Sequence, residues 1–202
     1  MAASPVFMGI SALLAAGAVV HGVLSAPDVV GSWQMAARYT ARFSFLVFFV
    51  VYGASAWHRL APSAASRWVM RRRRSLGLAF ATAHTVHLSA LVQFLREKGE
   101  MPDPVTLVVG GGAFLAMYLL AATSNDAAVG WLGGARWQRL HRFGVHYLWF
   151  VFAFTYLGRM GRDPAFFAPL LALALGVFGL RLLAWRARRV AASRGAATVR
   201  AG

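Results

Sequence analysis

The chain has 202 residues, of which 59% are hydrophobic and only 13% are charged, and its mean hydropathy is +0.58. A water-soluble domain of this length needs more charged residues to cover its surface, so we predict an all-α integral membrane protein. The formal net charge is +15, from 21 basic and 6 acidic residues. The absence of cysteine excludes disulfides, iron–sulfur clusters, thiolate metal sites and covalently attached c-type heme.

The basic residues stand at the ends of long apolar runs, and they are not interleaved with aromatic residues along one face. This placement is typical of a membrane boundary and unlike a nucleic-acid interface. We therefore expect the lipid bilayer, and no nucleic acid, as a partner of the chain.

Six apolar segments are long enough, as helices, to cross a hydrocarbon core, which takes about 20 residues. In chain order they are Pro5–Ser25, Arg42–Trp57, Ser75–Leu95, Val105–Thr123, Trp137–Leu157 and Ala165–Trp185. The pattern predicts one six-transmembrane-helix bundle over residues 1–186 and a basic, disordered tail over residues 187–202. The first segment is predicted to be a retained helix, because no basic residue precedes it and Leu24 is unsuited to a signal-peptide cleavage site.

The distribution of basic residues predicts the orientation of the bundle. With six spans, fifteen basic residues fall on the side of the two termini and six fall on the other side. The positive-inside rule therefore predicts that both termini are cytoplasmic. Five of the six acidic residues then lie on the outer side.

All six histidines lie in or beside the apolar segments. His21 and His58 stand at segment ends, where water solvates them, and we expect both to be interfacial. The other four lie deeper, where ionisable groups are costly and tend to be functional. These candidate site residues are His84, His87, His141 and His146.

Their spacing predicts which histidines can act together. His84 and His87 are three residues apart and share a helix face, whereas His141 and His146 are about 140° apart and belong to different sites. Imidazoles from two facing helices suit a heme iron, while zinc and copper sites more often add carboxylate or thiolate ligands. Structural hydrogen bonds across the bundle are the alternative use of such histidines.

Two motifs resemble the ferric reductase-like transmembrane domain family. The first runs from Arg73 to Leu78 (RRSLGL) and is followed by His87. The second comprises TSND at residues 123–126, LG at 132–133 and WQRLHR at 137–142. The resemblance covers residues 71–157, and within the family the pattern is most similar to the heme-binding membrane subunit of the bacterial methionine-sulfoxide reductase system.

The resemblance implies a six-helix protein of the bacterial cytoplasmic membrane that holds one or two b-type hemes between its third and fifth helices. By motif, His87 and His141 take ligand positions. Electrons would pass from a cytoplasmic flavin or quinol to an acceptor on the outer side, which makes the chain the membrane electron-transfer subunit of an oxidoreductase. The expected partner is a flavin reductase, a quinol or an outer-side oxidoreductase, and flavin or quinone is a further cofactor candidate.

The chain departs from the family at Phe154, where a second fifth-helix histidine is usual and where phenylalanine cannot ligate iron. Three arrangements remain open: a shifted pair of His84 and His146, ligation by His87 alone, or a fold that has lost heme. Bis-histidine ligation by the third and fifth helices is the lead hypothesis. The alternatives are a heme-free scaffold or small-solute carrier with structural histidines, and a flavin- or quinone-binding subunit without heme.

Overall fold

The computed structural model describes the backbone of residues 4–201 and the side chains of residues 4–193. This part of the chain is all-helical, as predicted, and contains no strand. The eight helices of the described chain are α1 (Pro5–Val23), α2 (Val29–Leu60), α3 (Ala64–Arg71), α4 (Arg73–Lys98), α5 (Pro104–Ala122), α6 (Asp126–Leu132), α7 (Gly134–Arg159) and α8 (Pro164–Ala201).

Five of the described helices are long and apolar enough to cross a membrane: α1, α2, α4, α5 and residues 164–193 of α8. The predicted fifth segment corresponds to α7, whose 26 residues extend about 39 Å. Arginines in its first turns and two histidines lower its hydropathy, so α7 is not one of these five. The multi-pass helical bundle is therefore supported by five candidate spans.

Helix α2 is longer than the predicted second segment, which starts at Arg42. It begins at Val29, because the side chain of Asp28 accepts a hydrogen bond from the backbone N–H of Gly31 at 2.8 Å and caps the helix. The added turns stay helical since Ala36 and Thr40 are buried against neighbouring helices. Hydropathy misses these turns because polar and basic residues, among them Gln34, Arg38 and Thr40, lower their mean hydropathy.

Two short helices, α3 and α6, occupy links between the predicted segments. Ser63 caps α3 with a reciprocal capping box, and Asn125 accepts the backbone N–H of Ala128 at 2.7 Å to start α6. With eight and seven residues, these helices are too short to cross a hydrocarbon core. The described chain therefore contains these two short helices in addition to the six long helices that correspond to the predicted segments.

The predicted tail, residues 187–202, begins within the last helix of the structure. Helix α8 continues to Ala201, and Gly202 lies outside the described residues. Alanine and arginine, which dominate this stretch, are among the strongest helix formers, and no proline interrupts it. Residues 187–201 thus have a helical backbone in the structure, and the disorder predicted for this tail stays a prediction.

The helices form two groups joined by α2. On one side α1, α2 and α4 pack closely through small residues such as Gly22, Ala36 and Ala90. On the other side α7 packs against α5 and α8. A buried aromatic cluster fills the space between the groups: Phe45, Phe48, Phe49, Tyr52, Phe80, Phe152 and Tyr156. The two histidine-bearing helices, α4 and α7, face each other across this cluster.

Candidate functional site

The two histidines of α4 lie side by side in the bundle. Their ring centroids are 5.0 Å apart, and His84 stacks on Phe114 of α5 at 4.8 Å. Across the bundle His84 contacts Phe152 of α7 at 5.7 Å. The predicted shared face is therefore present, and it points toward aromatic side chains of α5 and α7.

His84 is the more buried of the pair, with 6% of its surface exposed. Its Nδ1 atom has no hydrogen-bond partner among the described residues. A polar nitrogen buried without a partner is costly, and most such atoms in folded proteins are paired. This atom is an indication that the imidazole serves something other than packing.

The ring of His87 is fixed by Thr40 of α2, whose Oγ1 lies 3.2 Å from Nδ1. The Thr40 hydroxyl donates to the carbonyl of Ala36 at 2.7 Å, and it also lies 3.1 Å from the carbonyl of Ala37. Because its proton is used there, Oγ1 accepts from His87 and Nδ1 carries the proton. The Nε2 atom of His87 is then the unprotonated nitrogen, which is the form of histidine that binds a metal.

His141 of α7 is held in a similar way by Thr123, at the end of α5. Its Nε2 lies 3.0 Å from Thr123 Oγ1, which donates to the carbonyl of Leu119 at 2.6 Å. The hydroxyl therefore accepts from Nε2, and the lone pair of His141 is on Nδ1. Trp137 stacks on the imidazole at 4.1 Å and donates its indole N–H to the Thr123 carbonyl at 2.8 Å.

His146 faces another part of the bundle. Its Nδ1 lies 2.8 Å from the hydroxyl of Tyr52 on α2, and its ring contacts Phe178 of α8. Arg181 of α8 packs over the Tyr52 ring at 4.3 Å and donates to the Tyr52 carbonyl at 2.6 Å. Sequence reasoning missed this arrangement, although an arginine within the apolar run of α8 is itself a signal of an intramembrane partner.

The four candidate histidines do not form one cluster. No ring contact within the described chain joins the α4 pair to His141 or His146, and no group of three metal-binding side chains is present there. His141 points toward α5 and His146 toward α2 and α8, as their angular separation predicts. The interfacial candidates lie apart from all four: His21 is exposed beside Tyr39, and His58 contacts Ser66.

A cavity of about 720 Å³, here called the inner cavity, opens between the first turns of α4 and α7. Gly77 and Phe80 line it on α4, and His141 and Leu148 line it on α7. Its rim is strongly basic and contains Arg59, Arg71, Arg73, Arg74, Arg142, Arg181 and Arg188. Neither His84 nor His87 lines it directly, but His84 lies one helical turn beyond Phe80.

One acidic residue, Asp126, stands on the rim of the inner cavity and bonds Arg74 at 2.9 Å. The Arg74 guanidinium holds the pKa of that carboxyl below its usual value, so Asp126 is charged at neutral pH. The bond links the start of α4 to α6 and fixes one edge of the rim. The contact is exposed, and its contribution to stability is therefore small.

Phe154, the residue at the usual second histidine position, is 49% exposed and stacks on Phe150. The inward positions of the C-terminal half of α7 are instead occupied by Phe152 and Tyr156, which belong to the aromatic cluster. The C-terminal half of α7 therefore offers no imidazole to the interior.

The residues present fit heme when the ligands come from both helices. His84 and His87 cannot hold one macrocycle between them, because both project from one face of α4 and their ring centroids are only 5.0 Å apart, which leaves no room for a flat ring system between the two imidazoles. A single heme held from both helices would therefore take one imidazole of this pair and one histidine of α7. The unpartnered Nδ1 of His84, the inner cavity and its basic rim all fit a large, acidic, metal-containing ligand.

No family model matches the chain, and no solved structure matches it at a significant level. Several curated proteins do match. The protein-methionine-sulfoxide reductase heme-binding subunit MsrQ of Azospira oryzae is 37% identical over 157 residues, which are 68% of this chain and 60% of that protein. The protein of the same name from Ralstonia nicotianae is 34% identical, over 63% of this chain and 64% of its own length.

A third relative, the heme-binding subunit MsrQ of Bordetella pertussis, is 34% identical over 61% of this chain and 63% of its own length. The chain thus spans about three fifths of the length of the curated relatives that it matches. The chain is homologous to the heme-binding subunits of protein-methionine-sulfoxide reductase, and the family resemblance predicted from its third- and fifth-helix motifs is confirmed.

Proposed function

We propose that this chain binds heme b inside the membrane and transfers electrons from one side to the other, as the membrane subunit of an oxidoreductase system. The observation that carries the proposal is the placement of imidazoles on both facing helices, α4 and α7, in a chain whose relatives are named heme-binding subunits. One or two hemes fit this donor set.

The residues that would hold the heme iron are His141 from α7 and one histidine of the α4 pair. His141 lines the inner cavity, and His84 lies one turn beyond it with a free Nδ1. His87 takes the ligand position of the third-helix motif, and its hydrogen bond to Thr40 leaves Nε2 available for iron. His146, the remaining sequence candidate, is directed toward α8 and belongs to the shifted-pair alternative.

The propionates of a heme in the inner cavity would be met by arginines on its rim. Arg142 lies one residue from His141 on α7, and Arg73 stands at the start of α4. Guanidinium groups bind carboxylates through paired hydrogen bonds, so these two are suited to orient the macrocycle.

Heme iron accepts and releases one electron at a time, and this is the chemistry that the cofactor would supply. The chain's own contribution is to fix the ligands and exclude water. Thr40 and Thr123 set the tautomers of His87 and His141, while the aromatic cluster keeps the bundle interior dry.

The electron donor is proposed to be a cytoplasmic flavin or quinol that approaches the arginine-rich end of the bundle. The acceptor lies on the opposite side, and a separate redox partner completes the system, as the word subunit in the relatives' names implies for those proteins. In this proposal α7 is the sixth span, both termini are cytoplasmic, and the protein resides in the inner membrane of a bacterium.

The visible spectrum of the purified protein tests the heme. After expression with added heme, we expect a Soret band and, on reduction with dithionite, the α and β bands of a six-coordinate b-type heme. A protein that folds and purifies as a monodisperse species without these bands would contradict the proposal.

The chain contains no cysteine, so single introduced cysteines can map its topology without background labelling. We expect Gly161→Cys, after α7, to react with a membrane-impermeant maleimide in intact cells. Ala127→Cys, before α7, should react only after the membrane is permeabilised, because α7 crosses the bilayer. Labelling of both positions in intact cells would refute the proposed sixth span.

A heme-free role is the second candidate, favoured by one observation. His87, His141 and His146 each have a hydroxyl partner on a neighbouring helix, which is how structural histidines stabilise a bundle. Under this alternative, Thr40→Val and His87→Ala would lower thermal stability by similar amounts, and neither would change any visible absorption.

A further inference from the structure

A second cavity lies on the lipid-facing side of the bundle, between the inner ends of α2, α7 and α8. This α8 groove has a volume of about 650 Å³. It is lined by Ser55, Ala56, Arg59, Arg142, His146, Trp149, Phe178, Arg181, Leu182, Ala184, Trp185 and Arg188. It shares its arginines with the inner cavity, but its aromatic wall and its opening toward α8 are its own.

The polar part of the α8 groove carries concentrated positive charge. Four arginines line it (Arg59, Arg142, Arg181 and Arg188), and none of its described lining residues is acidic. Arg181 is held in place by its bond to the Tyr52 carbonyl and by the Tyr52 ring. Arg188 follows Arg181 by seven residues, which places both on one face of α8 about 10 Å apart. The groove therefore presents two separated cationic positions.

The rest of the α8 groove is apolar and aromatic. Trp149 and Phe178 stack at 4.3 Å to form its floor, and the indole of Trp149 is tied to the Ala174 carbonyl. Trp185 and Leu182 at its edge are 43% and 45% exposed. Exposed leucines continue from this edge along the outer surface of α8. A ligand that fits must combine anionic groups with long apolar ones.

The depth of the arginines matches that of lipid phosphates. Arg181 lies 17 residues after Pro164, or about 26 Å along α8, close to the far edge of a hydrocarbon core of about 30 Å. Basic pockets between transmembrane helices at this depth bind anionic headgroups, and tryptophan favours the same interface.

We propose that the α8 groove is a binding site for an anionic phospholipid, with a diphosphate lipid of the cardiolipin type as the best fit. Its phosphates pair with Arg59, Arg181 and Arg188, and its acyl chains lie on the aromatic floor and the exposed leucines of α8. Arg142 lines both cavities and is also assigned to a heme propionate, but the lipid site does not depend on heme and requires only that this end of the bundle meet a membrane surface.

Lipid analysis of the detergent-purified chain tests the proposal by mass spectrometry of extracted lipids. We expect about one anionic phospholipid per chain to survive washing in neutral detergent. Leu182→Trp fills the groove without changing its charge and should remove the lipid. Leu183→Trp is the matched control, because Leu183 is similarly exposed on α8 but does not line the groove.

The second test uses variants that each lack two arginines. It measures the binding of fluorescent cardiolipin to the delipidated protein. Arg59→Gln with Arg188→Gln should weaken binding about 25-fold, since each arginine near an anionic lipid contributes about fivefold. Arg67→Gln with Arg186→Gln removes the same charge outside the groove and should leave binding unchanged. Far-UV circular dichroism and gel filtration select the variants that remain folded.

Three outcomes would overturn the lipid site. The first is equal lipid loss in the groove variants and their controls, which indicates a general charge effect. The second is displacement of the lipid by inorganic phosphate alone, which indicates a simple anion site. The third is co-purified flavin that competes with the lipid, which makes the groove a cofactor site.

Discussion

Replacement of His141 with alanine is expected to abolish most of the Soret absorption of the purified protein. His141 is the α7 histidine that lines the inner cavity, so its loss removes an axial ligand and leaves α7 without an imidazole on that side. Removing even a hydrogen-bond partner of a metal ligand typically costs about tenfold or more in metal affinity, and removing the ligand itself costs more. Heme per chain, measured by the pyridine hemochrome assay, is the readout.

The α4 substitutions identify the second ligand. Of His84→Ala and His87→Ala, we expect one to lose the six-coordinate spectrum and the other to keep it, because the two rings lie too close together to hold one macrocycle between them. If His87 is the ligand, Thr40→Val will also lower heme affinity by about tenfold, since the valine cannot fix the imidazole tautomer.

Controls on histidines outside the proposed pair make this series decisive. His58→Ala should leave the spectrum unchanged, because His58 contacts Ser66 near the end of α2. His146→Ala should also retain heme, since the ring is directed toward Tyr52 and Phe178. Loss of heme in His146→Ala and full retention in His141→Ala would instead favour the shifted pair of His84 and His146.

Among Gly→Ala substitutions in α1 and α2, we expect Gly22→Ala to lower the free energy of unfolding most. A Cβ at Gly22 would overlap the backbone N and Cα of Ala36 and lie 2.8 Å from the carbonyl carbon of Met35. Backbone atoms cannot move aside as a flexible side chain can, so α1 must shift away from α2. Overpacking of this kind costs about 3 kcal/mol or more.

Thermal unfolding in detergent, followed by circular dichroism, measures this effect. Gly17→Ala, on the same helix, is the matched control, because a Cβ there meets nothing within 4 Å. Alanine is the better helix former by about 1 kcal/mol, so the control should be neutral or slightly stabilising. Equal melting temperatures for the two variants would show that α1 does not pack on α2 as described.

Much of the architecture follows from local sequence properties. The apolar runs of α1, α4, α5 and α8 are visible in hydropathy because a helix must shield its backbone from lipid by its own hydrogen bonds and apolar side chains. The shared face of His84 and His87 and the divergence of His141 from His146 follow from helical periodicity alone. The motifs around His87 and His141 were also sufficient to predict the resemblance to the heme-binding subunits that the chain matches.

Tertiary structure decided the features that depend on contacts between helices. The sequence could not assign Thr40 to His87, Thr123 to His141 or Tyr52 to His146, because these partners are up to 94 residues apart. Nor could it predict that α2 begins at Val29. The first turns of α2 are held by packing against neighbouring helices, and hydropathy does not report such packing. Hydropathy and periodicity are properties of one helix. Hydrogen-bond partners, imidazole tautomers and cavities depend on how each helix is rotated against the others. The sequence therefore determined that imidazoles lie in the apolar helices, and only packing decided which partner and which cavity each of them faces.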